Sequence, residues 1–335
     1  MAKFKFNEIL KEEVKFNDGL EGRTLLLYST NDTGKTYQAS HFPKPFLVET
    51  EMGGGAVNCP KQEVIKWSLF KEIVDDLTKN REEYKNDLQT VIIDTADNLV
   101  KLSEQAVCNE FGVRDLSEIT GKQNGYLIAR NDFQMQINKL LSVGYTVIFI
   151  AHEEKVEMED EVSGETYNFI QPKGTSNEKS SMRLIRDMCD FTIYLKPNGI
   201  DKETYETIPS TAICKRTKNV FARSRFAIKT IVNPFTAENL IQAIEEAVKT
   251  SAKNEGAKTG KAKTKKKETK EDYFEKIKPY MERLWAIDQD FVANVLEQEL
   301  GENRKLSSAT DEELVALDNI YNQLVTKTTL LGIEV

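Results

Sequence analysis

A mainly parallel α/β fold is the class that this sequence predicts, and three observations predict it. Short apolar runs alternate with stretches of helical periodicity through the first 250 residues, the order that builds a sheet covered by helices. Several runs are apolar at every position rather than every second one, as strands buried on both faces must be. Three of the runs also lead directly into reactive groups: one into STNDTGKT, one into Asp94 and one into His152. Parallel sheets collect their ligands at these strand ends.

The first run, Arg23 to Tyr28, reads RTLLLY and is followed by Ser29 to Thr36 and a helical stretch from Tyr37 to His41. This is a phosphate-loop pattern in which Ser29 stands at the usual first glycine. Its Gly34-Lys35-Thr36 end is intact. Glycine lets the backbone approach a phosphate, loop amides at a helix start favour an anion, the lysine reaches the outer phosphates and the hydroxyl suits magnesium. Asn31, Asp32, Thr33, Gly34, Lys35, Thr36 and Tyr37 are therefore the candidate nucleotide-binding group. A second strand is expected over Lys44 to Glu51 (KPFLVETE), running into Met52 and Gly53–Gly55. Glu49 and Glu51 share a face if the strand persists. A carboxylate there could orient an attacking water, or be a solvated loop acid.

A helix is expected over Glu63–Leu77, and then the strand Thr90 to Asp94 (TVIID). Asp94 closes that strand 59 residues after Lys35 and is the expected partner of Thr36 on Mg2+. Helices are expected at Leu99–Phe111 and Ile128–Ser142, separated by Thr120 to Arg130, TGKQNGYLIAR. Lys122 and Tyr126 in that segment combine a charge and a stacking ring suited to a single strand, although a plain surface loop has the same composition. The strand Tyr145 to Ala151 runs into His152, either a group beside the outermost phosphate or a structural histidine. Further strands are expected at Asp190–Leu195, Ala212–Cys214 and Arg225–Ile228, and a helix at Ala237–Val248.

Charge divides the rest of the chain. Between Ala252 and Lys270 stand eight lysines and two glutamates, a net of +6, so the remainder of a chain of net charge −8 carries −14. That stretch has no aromatic residue and no Val, Ile or Leu, too little apolar surface to offset chain entropy. Residues 251–271 are thus expected to be a disordered linker, serving as a solubilising tether or as a basic arm on nucleic acid. Residues 1–250 form the expected nucleotide-binding domain and 272–335 a small helical module. Helices there are expected at Asp272–Ala286, Gln289–Leu300 and Asp311–Thr326.

Composition excludes other classes. The four cysteines (Cys59, Cys108, Cys189, Cys214) form no close pair and there are only two histidines, His41 and His152. Neither a disulfide framework nor a zinc cluster is expected. No run approaches the roughly 18 apolar residues of a membrane span, and Met1 to Phe16 lacks a signal-peptide core. A reducing, cytoplasmic setting without membrane contact follows.

Over residues 20–236 the sequence resembles the RecA-like core, and more narrowly the phage-encoded RecA-like ATP-binding proteins that act as single-strand annealing proteins or recombinases. The resemblance rests on Gly34-Lys35-Thr36, on Glu49, Glu51 and Gly53, on the VIID strand at Asp94 and on the FIAH strand end at His152. It implies ATP and Mg2+ as ligands, a bacterial host cell and single-stranded DNA as partner. It further implies a homo-oligomer, filament or ring, with ATP hydrolysed at a subunit interface. Glu51 resembles the catalytic glutamate, acting with Lys35, and His152 the residue that senses the outermost phosphate. The long segment Glu153 to Arg183 resembles a mobile DNA loop. Its first half is acidic, which leaves Lys173, Lys179 and Arg183 as the candidates for DNA contact; an acidic hairpin with no DNA role is the other reading. Lys215, Arg216 and Lys218 resemble the basic group that reaches a neighbour's phosphates, with a DNA patch or solvated hairpin as alternatives. The C-terminal module lies outside that resemblance and is expected to be an adaptor, either for a replication or recombination partner or for oligomerisation. A nucleotide-switched binding protein with little hydrolysis is the competing reading.

Overall fold

The computed structural model describes residues 15–17, 19–51, 57–120, 124–160, 162–256, 258–260, 269–301, 304–310, 313–331 and 333. The chain divides into two compact units, 13–263 and the C-terminal residues from 264.

In the larger unit the strands are β1 (Lys15–Asn17), β2 (Thr24–Ser29), β3 (Pro45–Glu49), β4 (Lys61–Glu63), β5 (Thr90–Asp94), β6 (Thr146–Glu159), β7 (Thr166–Pro172), β8 (Phe191–Lys196), β9 (Thr211–Ile213), β10 (Arg223–Ser224), β11 (Ile231–Val232) and β12 (Lys258–Gly260). The helices are α1 (Lys35–Ala39), α2 (Trp67–Lys79), α3 (Arg81–Tyr84), α4 (Ala96–Phe111), α5 (Gly125–Ser142), α6 (Ser181–Met188) and α7 (Ala237–Asn254). The main sheet runs β11-β9-β8-β2-β6-β5-β3-β4. From β8 to β4 every pair is parallel, while β9, β10 and β11 add antiparallel pairs at the β8 side. The expected mainly parallel α/β fold is present.

Alternation within β2 shows why its run is apolar throughout. Leu26 and Tyr28 join Val91, Ile93, Val147 and Phe149 under Phe70, Val74, Leu99, Phe133 and Ile137 of α2, α4 and α5. Leu25 and Leu27 face the other way, with Ile92, Ile148, Ile150 and Ile193, under Phe42 and under Leu240, Ile244 and Val248 of α7. Helices thus cover both faces, and solvent reaches this sheet mainly at strand ends. Helix ends follow local chemistry. Gly112 adopts a left-handed φ of 65° after α4, and the side chains of Asn124, Ser180 and Thr236 accept amide hydrogens at the starts of α5, α6 and α7. Gly125 is required by close approach, since a Cβ there would lie 2.5 Å from the Leu116 carbonyl oxygen.

Several expectations shift. The helix expected from Glu63 begins at Trp67, because 61–63 pair with β3 as an exposed edge strand. No strand forms over 225–228. Arg223–Ser224 pair with β8 instead, and Phe226 stacks on Phe191 at 5.5 Å. Helix α7 continues to Asn254 with Ala252 buried, and 258–260 pair with β1. Ordered structure therefore enters the segment expected to be a linker; its residues 257 and 261–268 lie outside the described residues, as do Gly53–Gly55 and Lys122. The segment after His152 is no open loop at first: β6 runs on to Glu159 and pairs with β7 as a hairpin, Glu153 opposite Pro172 through Glu159 opposite Thr166.

The smaller unit contains α8 (Lys270–Trp285), α9 (Gln289–Leu300) and α10 (Leu314–Leu330). Thr269 and Asp272 form a reciprocal capping box at the first. Ile277, Leu284, Val292, Val295, Leu317, Ile320 and Leu324 make its own core, and the Arg304 guanidinium grips the Glu313 carboxylate with two hydrogen bonds.

Candidate nucleotide site

The site is assembled by the sheet order. Strand β6 lies between β2 and β5, with Ser29 in register with His152 and Asp94 in register with Ile150. The end of β6 therefore emerges between the phosphate loop and the Asp94 carboxylate. Strand β3 follows on the far side of β5, Glu49 beside Asp94.

The loop turns through two left-handed residues, Asp32 (φ 59°) and Gly34 (φ 81°). Alternation of this kind brings successive main-chain N–H groups into a concave anion cradle. Ser29, at the unusual first position, is fully buried and its hydroxyl donates to the Leu195 carbonyl of β8. The substitution is thus absorbed by the neighbouring strand. Ser210 donates to the Thr33 carbonyl at 3.1 Å, and Gln38 accepts from the Ala237 amide at 2.8 Å; both fasten the loop and α1 to distant segments. The Lys35 ammonium lies back against the carbonyls of Ser29 and Thr30.

Thr36 Oγ1 donates to Asp94 Oδ2 at 2.6 Å. Burial pushes the Asp94 carboxyl above its ordinary range, and the Thr36 hydrogen bond opposes the shift. Burial also lowers the Lys35 ammonium, opposed first by Asp94. A phosphate beside Lys35 and a cation beside Asp94 would each favour the charged form. A hydroxyl and a carboxylate in contact are the hard oxygen donors that suit Mg2+, so these residues fit the ion.

Glu51 is exposed just past β3, where its Oε1 accepts from Thr95 Oγ1 at 3.0 Å and Asn98 Nδ2 at 2.8 Å. Glu49 is held less fully, with Oε2 3.9 Å from Lys61 and a buried Oε1 that has no hydrogen-bond partner among the described residues. His152 Nδ1 lies 3.2 Å from the buried Asp97 carboxylate. One cavity of about 840 Å³ is lined by Asn31 to Gln38, Glu49, Glu51, Asp94, Thr95, His152 and Thr207–Ser210.

All seven candidate loop residues therefore share a cleft with Glu51, Asp94 and His152. Sequence reading missed Thr95, Asp97, Asn98 and the 207–210 segment. The first three follow Asp94 directly and could have been found as the helix start beneath it. The last has no motif and reaches the loop only through the fold. Lys215, Arg216 and Lys218 do not line this cavity. Arg216 stacks 5.0 Å over Phe169, and Lys218 pairs with Asp160 at 3.2 Å and lies 5.3 Å over Tyr167. The fold does bring two candidate DNA segments together. Lys179 lies 5.8 Å over the Tyr126 ring and Arg130 donates to the Glu178 carbonyl at 3.3 Å. Arg183 bonds to Asp187 and to the Thr175 carbonyl, and the amide of exposed Lys173 donates to the His152 carbonyl at 2.9 Å.

Fold and site together define a P-loop nucleotide-binding protein. The family model of the AAA domain matches residues 21–226, and the chain belongs to that P-loop ATPase family. It is similar to the SPbeta prophage-derived uncharacterized protein YorG of Bacillus subtilis (strain 168), 35% identical over 243 residues, which is 71% of this chain and 70% of that protein. This is a broader class than the RecA-like recombinases that the motifs resemble. Among the described residues no helix is long and apolar enough to cross a membrane.

Proposed function

We propose that this chain binds ATP with Mg2+ in the cleft and hydrolyses it between copies of itself, acting on single-stranded DNA in phage recombination or replication. The observation that carries the reading is the Thr36–Asp94 contact at 2.6 Å, beside Lys35 and in the same cleft as Glu51 and His152. Thr36 and Asp94 would hold Mg2+, which supplies positive charge against the phosphates. Lys35 leaves its two loop carbonyls to meet the outer phosphates, Glu51 orients water, and His152 meets the terminal phosphate. The prophage origin of YorG supports a phage protein.

Two features support a DNA role. Tyr126 with Lys179 offers a ring and a cation on one surface, the pairing that holds an unstacked base. Glu154, two residues from His152, accepts from Gln171 and from the amides of Gly174 and Ser176. That ties the site to the segment bearing Lys173 and Lys179. Arg216 and Lys218 are engaged with the hairpin, so Lys215 is best placed of the three to reach a neighbouring subunit.

A second reading, a nucleotide-switched partner-binding protein with little hydrolysis, draws on the smaller unit. There a cavity of about 700 Å³ is lined by Phe274, Met281, Trp285, Leu296 and Leu306. Measuring ATP turnover with and without single-stranded DNA, for wild type and Lys35→Ala, separates the two. DNA-stimulated turnover lost in Lys35→Ala supports the ATPase. Absent turnover with nucleotide-dependent DNA or partner binding leaves only the switch.

A further inference from the structure

His152, which lines the cleft, meets a buried acid through one ring nitrogen. Its Nδ1 lies 3.2 and 3.4 Å from the two oxygens of Asp97, whose side chain is only 6% exposed against 27% for the histidine. An ionised carboxylate only accepts hydrogen bonds, so Nδ1 carries the hydrogen. In a neutral ring Nε2 would then hold a bare lone pair, which repels an anion. Only the imidazolium donates from both nitrogens. Other charged groups stand around the ring. Glu51, beyond β3, clusters with Asp97 and His152 within 4.8 Å. Asp94 at the end of β5 and Lys35 in the loop line the same cleft as the ring.

We infer that Asp97 is a positioning residue that fixes the His152 ring through Nδ1 and places negative charge behind it, so that a terminal phosphate is met by a charge-assisted donor and triphosphate is told from diphosphate. The inference rests on the nucleotide reading above. A neutral amide could make one hydrogen bond in the same place. A charged donor is roughly twice as strong, and Asp97 supplies the counter-charge that keeps it in place when the cleft is empty of phosphate.

The test is the affinity for ATP and for ADP, by calorimetry with Mg2+, of wild type, Asp97→Asn, His152→Gln and the double variant. Asp97→Asn keeps the volume and an acceptor for Nδ1 but removes the charge. It should weaken ATP about tenfold or more and ADP less than about twofold. In the double variant the Asp97 change should add nothing to His152→Gln. Equal weakening of ATP and ADP by Asp97→Asn would make Asp97 merely structural and overturn the inference. So would an Asp97 effect that persists undiminished without His152. If Asp97→Asn does not fold, His152→Gln decides alone: an ATP-to-ADP ratio equal to wild type refutes the charged donor. Lys35→Ala separates the levels. If it leaves both affinities untouched, the nucleotide site itself is misassigned; if it abolishes both while Asp97→Asn changes neither, only the role of Asp97 falls.

Discussion

Replacing Thr36 by Val tests the centre of the site with one atom. The side chain keeps its shape, and the hydroxyl that donates to Asp94 at 2.6 Å is lost. The carboxylate is already disfavoured by burial, and this hydrogen bond is the largest influence opposing that. A hydrogen bond to a charged group contributes about 1.5–3 kcal/mol. Both partners keep partial contact with water, which places the loss near the low end, about 1.5 kcal/mol. For a unit of this size that lowers Tm by about 3–6 °C. Urea unfolding without nucleotide and with EDTA should show a lower midpoint and an unchanged m-value. With nucleotide added, Mg2+-dependent affinity should fall well below wild type. An unchanged midpoint would mean that the hydroxyl does not serve the carboxylate, and a changed m-value that the substitution altered more than one contact.

Three further outcomes are expected. Tyr28→Phe removes a buried hydroxyl that donates to the carbonyls of Ile170 and Phe221. It should cost about 1–2 kcal/mol in urea unfolding while leaving ATP affinity intact. Asp160 sits at the hairpin tip, where the Ser163 amide and then Lys218 lower its carboxyl to about 2. Because the folded value lies below the unfolded one, its contribution is complete above the ordinary value of 3.8 and is lost as pH falls from there to about 2. A carboxyl NMR titration should show this, and Lys218→Met should move the midpoint upward. Of the four free cysteines only Cys59 is partly exposed. Burial raises its thiol and that of Cys214, the latter to about 12, so a thiol reagent at neutral pH should modify at most one thiol slowly before unfolding and all four after it.

Legibility from sequence followed the range of the interactions. The strands at 24–29, 90–94 and the start of β6 could be read because burial on both faces demands an uninterrupted apolar run. Asp94 and His152 could be read because each interrupts such a run. The edge strand 61–63 could not, since all three residues are exposed and only backbone pairing to β3 makes them a strand. For the segment after His152 the sequence leaves open both a mobile loop and an acidic hairpin. The cross-strand pairing to β7, the Asn219 side chain on the Asn168 carbonyl, and the ring contacts of Arg216 and Lys218 are what hold it. The same contacts explain why a basic run after β9 turned out to be engaged within its own chain.

The sequence by itself determined a phosphate loop, an acid closing a buried strand, and a polar end on another strand, because each is written in contiguous residues whose local chemistry admits few alternatives. Only the tertiary structure decided which groups stand behind these. Insertion of β6 between β2 and β5 placed His152 in the cleft. Packing of α4 beneath it put Asp97 at its ring and Asn98 at Glu51. A segment more than 170 residues downstream closed the loop side through Ser210 and Thr33. Such partners meet only when the sheet order is set, and that order is settled by the burial of whole faces rather than by any one motif.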